Sequence, residues 1–323
     1  MNFNRRDFLT GAGAFLAADL PLLSSATGVP PKPLDLRDTT IAVGAQRPFS
    51  AYQVSDTHIV RVDTRDTDEK ARLAARRGRF SLWGEHYLDA TIARAKAEDA
   101  LLLHTGDLID FVSEANLDLA SGHLSDGDWI ASCGNHEFSR FVGEAREDAA
   151  YKQGSFDRVQ KAFPNELTFA SRIINGVNFV VLDDVYYNVT EEQHARFEAE
   201  VKKGLPIVLL CHVPFYTPKL ADFVMKAVNN KCAYVTGAPD ALVDTYLGGK
   251  NETGENAWRS RAVQQRADKS TREFVRWLHE QKLLKAILCG HLHYHFEEPF
   301  SATATQYVCA ATFKGMARAI SFT

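Results

Sequence analysis

The chain has 323 residues, 45% hydrophobic and 24% charged, with a net charge of -4 and a pI near 6.3. That balance belongs to an ordinary globular protein, long enough for one large domain or two small ones, and excludes disorder as the default state. It provides no global basic field for nonspecific binding to nucleic acid or anionic membrane, so a charged substrate must be met by local groups. The five cysteines form no Cys-x-x-Cys pair, so they imply neither a disulfide framework nor a zinc ribbon; Cys133, Cys211 and Cys289 end apolar runs and read as core residues.

The chain opens with Asn4-Arg5-Arg6-Asp7-Phe8-Leu9, an apolar run from Gly11 to Ala18, and Ser24-Ser25-Ala26. A charged start, a short apolar middle and a small-residue end form an export signal. Arg5-Arg6 with Phe8-Leu9 resembles the twin-arginine type, which implies the twin-arginine export machinery as a partner and a bacterial periplasmic or secreted location. Residues 1–26 are therefore expected to be signal, residues 27–40 a Pro-rich extended linker with Pro30, Pro31 and Pro33, and residues 41–323 one catalytic domain.

Within the domain, Phe49 to Val54 alternates as a strand does and leads to Asp56 and His58, two positions apart and therefore able to face the same way. The mixed charges from Arg61 to Arg79 read as a solvated loop. Trp83, Tyr87, Leu88, Thr91, Ile92 and Ala95 predict a helix over 84–98, followed by a strand from Ala100 to His104 and the acidic loop Gly106-Asp107. Trp129 to Cys133 is the next strand, ending at Asn135-His136. Thr168 to Ile174 and Val177 to Leu182, joined by Asn175-Gly176, predict a tight hairpin. Thr190-Glu191-Glu192-Gln193 has the form of a capping box, opening a helix on which His194 is structural. Pro206 to Cys211 is a strand ending at His212.

Residues 214–268 form the least regular part. They read as a solvated insertion or, with Trp258, Arg259, Arg261 and Arg266, as a flap over a phosphate-bearing substrate. Phe274, Trp277 and Leu278 mark a helix, and Ala286 to Cys289 a strand before His291 and His293. Strands Tyr307 to Ala311 and Ala317 to Phe322 close the chain.

Asp56, His58, Asp107, Asn135, His212, His291 and His293 thus all stand at the ends of apolar runs. Carboxylate, amide oxygen and imidazole suit Mn, Fe or Zn, and seven donors exceed the needs of one tetrahedral zinc. Two divalent or trivalent ions sharing the Asp107 carboxylate are the economical reading. His86, His104, His123, His279 and His295 read as core or surface residues, with His104 also placed to orient a ligand.

The ordered blocks Asp56-x-His58, Gly106-Asp107-x-x-Asp110, Gly134-Asn135-His136-Glu137, His212 and Gly290-His291-x-His293 resemble the calcineurin-like metallophosphoesterase superfamily. The resemblance implies a four-layer α/β/β/α sandwich, with two packed mixed sheets flanked by helices. It also implies one ion on Asp56, His58, Asp107 and His293 and another on Asp107, Asn135, His212 and His291. His136, oriented by Asp110, would serve the leaving-group oxygen as the catalytic acid. The histidine of Asp56-x-His58 departs from the purple acid phosphatases, and Asp110 followed by Phe111-Val112 departs from the protein Ser/Thr phosphatases. The implied activity is hydrolysis of a small phosphoester by a metal-activated water, a diester in preference to a monoester, with no stable nucleic-acid partner. An exported broad phosphomonoesterase is the alternative within the class. A catalytically inactive protein-binding scaffold is the alternative outside it, and the substrate-binding residues stay unassigned.

Overall fold

The computed structural model describes residues 31–140, 149–230, 232–247 and 264–323. The export signal, and Gly248 to Arg261 of the expected flap, lie outside them. Among the described residues eleven strands make two mixed sheets. The first holds β1 (Asp35–Ile41), β2 (Phe49–Val54), β3 (Leu101–Thr105), β4 (Trp129–Ser132) and β11 (Met316–Phe322), in the order β1-β11-β2-β3-β4. The second holds β5 (Phe169–Ile174), β6 (Val177–Leu182), β7 (Ile207–Leu210), β8 (Leu284–Cys289), β9 (Phe296–Pro299) and β10 (Thr305–Val308), in the order β5-β6-β7-β8-β10-β9.

The central strands are apolar on both faces, because each sheet is covered twice. Leu101 and Leu103 of β3 point between the sheets, where they meet Phe179 and Val181 of β6, Val208 and Leu210 of β7, and Ala286 and Leu288 of β8. Leu102 points the other way, into a second core with α2 (Gly84–Ala97), α3 (Glu114–Leu124) and residues of α4 (Ala149–Gln160). Val180, Leu182, Ile207 and Leu209 face a third core, against α5 (Glu191–Val201) and α8 (Lys269–His279). Three cores between four layers give the expected α/β/β/α sandwich.

Local chemistry sets the joints. Asn175 and Gly176 both take positive φ, 48° and 80°, as the tight turn between β5 and β6 requires. At the start of α5 the Thr190 side chain accepts from Gln193 N while Gln193 Oε1 accepts from Thr190 N, so two otherwise orphaned donors are satisfied. His194 packs its ring 4.8 Å from that of Trp277, a structural place. All five cysteines are free and buried.

Three segments differ from the sequence expectation. Residues 35–40 of the expected linker belong to β1, an edge strand parallel to β11, on which Ile41 is the one buried residue. Most of the expected solvated loop before residue 79 is α1 (Asp68–Arg77). Thr67 caps it, Asp68 and Glu69 begin it and Arg76 and Arg77 end it, so capping and the helix dipole stabilise a helix that buries only Leu73. The described part of 214–268 is packed rather than solvated. It carries α6 (Pro218–Asp222), a wide turn at Phe223–Ala227 and α7 (Asp240–Leu247), and Phe215, Leu220, Val224, Val235 and Val243 enter the third core. Arg266 of the expected flap pairs with Asp240 at 3.1 Å, on the surface.

Candidate metal centre

The seven candidate ligands come from five loops, each at the C-terminal end of a parallel strand. Asp56 and His58 follow β2, Asp107 follows β3 and Asn135 follows β4, while His212 follows β7 and His291 and His293 follow β8. Register brings the loops level, with Val54 beside His104, Thr105 beside Ser132 and Leu210 beside Leu288. The crevice beyond such strand ends is where open α/β sheets place their sites. Asp56, His58, Asp107, His291 and His293 all have φ between 50° and 68°. Left-handed backbone at non-glycine residues costs about 1–3 kcal/mol each and gathers at functional sites. The loops also need the absence of a side chain at three glycines, among them Gly134, where a Cβ would collide with Asp107. A Cβ on Gly106 would collide with the His212 ring, and one on Gly290 with Ser55 and Asp56.

The side chains converge in two groups that share one carboxylate. Asp56, His58, Asp107 and His293 form the first, and Asp107, His212 and His291 the second. Asp56 Oδ1 lies 3.3 Å from His293 Nε2, and Asp107 Oδ2 lies 3.6 Å from His58 Nε2 and 3.3 Å from His212 Nε2. The nitrogens close to 3.2 Å between His58 and His293, and to 3.1 Å between His212 and His291. Asn135 Oδ1 is buried with no hydrogen-bond partner, an arrangement that leaves a carbonyl lone pair free for a cation. Converging imidazoles, carboxylates and one orphaned amide oxygen fit a pair of borderline or hard metal ions.

A model of the calcineurin-like phosphoesterase family matches residues 49–295. The chain belongs to this family. It is a metal-dependent phosphoesterase. No curated protein sequence matches it. Similar solved structures include a dimetal phosphatase from Danio rerio, 13% identical with a TM-score of 0.45, covering 82% of this chain and 88% of the other. A purple acid phosphatase from yellow lupin, Lupinus luteus, is 12% identical with a TM-score of 0.46, covering 81% of this chain and 44% of its own. A phosphopantetheinyl hydrolase from Mycobacterium tuberculosis is 11% identical with a TM-score of 0.44, covering 82% of this chain and 90% of its own.

In this phosphoesterase the candidate ligands are oriented from behind. His58 Nδ1 lies 3.0 Å from Asp110 Oδ1 and His212 Nδ1 2.7 Å from the Thr105 carbonyl, which leaves each Nε2 for the centre. The Glu137 carboxylate accepts from the backbone N–H of Asp107 at 2.8 Å, Ile109 at 3.1 Å and Gly134 at 2.6 Å, and so shapes both the Asp107 and the Asn135 loops. Burial and the nearby Asp107 push Glu137 up to about 7. Asp107 itself stays well below the carboxylate range: burial opposes this, but His212, His136 and His58 around it prevail. Burial pulls His212 down, yet Asp107 and Asp56 push it up to about 10. Burial and the neighbouring His212 instead pull His291 down to about 3, so proton and lone pair are divided between these two imidazoles, and a metal ion would take the place of the His212 proton.

His136 meets Asp110, more closely at the backbone carbonyl than at the carboxylate. Its Nδ1 lies 2.8 Å from the Asp110 backbone carbonyl and 3.4 Å from the carboxylate. Arg77 takes that carboxylate in a fork, Nε to Oδ2 at 2.7 Å and a terminal nitrogen to Oδ1 at 2.9 Å, leaving His58 as its nearer imidazole. Arg77 and Tyr187, whose hydroxyl lies 3.3 Å from His291 Nε2, support the site without a signal in the sequence, and Glu137 supports it in a role that its block did not specify. Glu137 stands inside a quoted block and was legible; Arg77 and Tyr187 carry no spacing signal. His104 accepts from Gly106 N at 3.1 Å and so braces the Asp107 loop. His123 faces Glu85 and Asp89, His279 stacks on Phe300 and His295 accepts from Ala310 N, all outside the centre.

Proposed function

We propose that the chain binds two metal ions and hydrolyses small phosphoesters, diesters in preference to monoesters. One ion would be held by Asp56, His58, Asp107 and His293, and the other by Asp107, Asn135, His212 and His291. The observation that carries this reading is the meeting of the two ligand groups at Asp107. When bound, the ions would offset the charge of the phosphoryl group and supply an activated water. His136 sits beside both groups, its Nε2 3.9 Å from Asp107 Oδ2, and is the residue to hand a proton to the leaving oxygen. The Asp110 carbonyl keeps the other ring nitrogen protonated and the ring aimed.

Charge supports the diester preference. A monoester dianion asks for one more cation than a diester does, and among the described residues Arg77 is committed to Asp110 and Lys314 donates to the His293 carbonyl. Bis(4-nitrophenyl) phosphate and 4-nitrophenyl phosphate, offered to chelated and then Mn-reconstituted protein, test both parts. Metal-dependent release with the diester faster is expected. A faster monoester would make the protein a phosphomonoesterase, and metal binding without turnover of either would favour the scaffold. Arg5-Arg6 adds the proposal of twin-arginine export to the periplasm or beyond. A reporter carrying residues 1–30 should leave the cytoplasm, and Arg5→Lys with Arg6→Lys should retain it; equal export of both would sink that assignment.

A further inference from the structure

Two phenylalanines stand together at the rim of the centre. Phe80 lies in the turn after α1 and Phe313 in the single turn Thr312–Lys314, and their ring centroids are 4.4 Å apart with 40° between planes. Phe80 stands edge-on 5.7 Å from His58, and Phe313 5.6 Å from His58 and 5.3 Å from His293. Arg77, forked on Asp110, also lays its guanidinium 4.3 Å over the Phe80 ring. One aromatic pair thus touches two candidate ligands, His58 and His293, and through Arg77 the Asp110 carboxylate that orients His58.

Phe80 is 41% exposed. The other exposed large apolar side chains among the described residues are Ile173, on edge strand β5, and Val228, after the wide turn. A lone exposed apolar residue needs no explanation. Phe80 is not alone, since its aromatic neighbour and its cation make a continuous surface directly beside polar, chemistry-bearing groups. That surface is also fixed in place. Phe80 N donates to the Arg77 carbonyl at 2.8 Å, and Thr312 N and Phe313 N donate to Ser55 and Asp56 at 2.8 and 3.3 Å, so the second ring is tied to the loop that carries Asp56. Gly315 closes the turn with φ of 80°, where a side chain would also crowd Tyr87.

We propose that Phe80 and Phe313, edged by Arg77, form a subsite for a planar aromatic arm of the phosphoester, an aryl or nucleobase ester group. The proposal rests on the phosphoester reading above and adds the class of substrate. Rings favour edge and offset contacts with other rings, and a guanidinium favours a planar partner, so the surface discriminates aromatic from short aliphatic arms. It also borders His58 and His293, two of the side chains that would face the phosphoryl group.

Phenylphosphonate and methylphosphonate, titrated calorimetrically into metal-loaded protein, separate the two arms while sharing the phosphoryl group. Wild type should bind the phenyl compound about tenfold more tightly. Phe80→Ala should shrink that preference to about twofold or less while leaving methylphosphonate affinity within about twofold, and Phe80→Trp should keep it. A preference that survives Phe80→Ala, a loss common to both ligands, or no binding of either by wild type would overturn the subsite. Phe313→Leu repeats the test should Phe80→Ala fold poorly. Failure of wild type to turn over any phosphoester would instead defeat the proposed activity, while the calorimetric preference would still decide the subsite.

Discussion

Asp107→Asn is expected to lower turnover on the order of 10³-fold or more, beyond the 10–100-fold typical of losing an outer partner of a metal ligand, and to empty at least one metal position. The substitution keeps size and shape but removes the charge that both ligand groups share. Asp107 Oδ2 stands 3.3 Å from His212 Nε2 and 3.6 Å from His58 Nε2, so an amide NH₂ there would turn a donor toward a cation site. Oδ1 accepts from His136 N at 2.8 Å, a bond that an asparagine oxygen can keep, so the loop itself should survive. Metal analysis beside turnover of the diester checks this. Unchanged hydrolysis would remove Asp107 from the bridging position.

His136→Ala should cost roughly 10²–10⁴-fold in rate, the usual contribution of a positioned acid or base, with metal content retained. The combination is diagnostic, since a structural or ligand role would change metal content as well. The pH dependence gives an independent reading. Burial pulls the His136 imidazole down, but Asp107 and Asp110 outweigh it and push it up to about 9 in the protein alone. Cations beside Asp107 would offset part of that field and bring the value lower. The sign is the same in either case: an acid must hold its proton, so wild-type activity falls as pH rises through the His136 value. In His136→Ala that fall should be missing from the residual rate. A variant that keeps the alkaline fall, or loses its metal, would assign the proton transfer elsewhere.

The strands were readable because burial on both faces writes long apolar runs, and the ligands because each such run ends in a residue of metal chemistry, as Leu101-Leu102-Leu103 does at Asp107. What was hidden lacked those marks. Helix α1 buries only Leu73, so no apolar stripe advertises it among its charged residues. Strand β1 lies at an edge and shows mainly polar residues, and its pairing with β11 joins segments about 280 positions apart in the sequence, as Asp35 beside Met316 shows. Arg77 reaches Asp110 across 33 positions, and no local spacing encodes that fork. Within 214–247, apolar residues were present, but Pro, Gly and short helices broke the period by which packing is recognised. The two groups at Asp107 were legible because five loops repeat one theme, whereas the orientation of His136 turned on which oxygen of Asp110 it meets.

The division of donors between the sheets has a thermodynamic consequence. Asp56, His58, Asp107 and Asn135 hang from the first sheet, and His212, His291 and His293 from the second. Gln53 spans the same seam, donating to Thr105 within its own sheet and to the Cys289 carbonyl of the other at 3.1 Å. A cation bound across that seam is a removable rivet, since neither sheet alone can complete its coordination. An ion taken up only by the assembled sandwich lends its binding free energy to holding the halves together, about 2.7 kcal/mol when the free ion stands at 100 times its Kd. Under the proposed ligand assignment, catalysis and cohesion would draw on the same few side chains, and withdrawing metal would slacken the architecture as well as silence the chemistry.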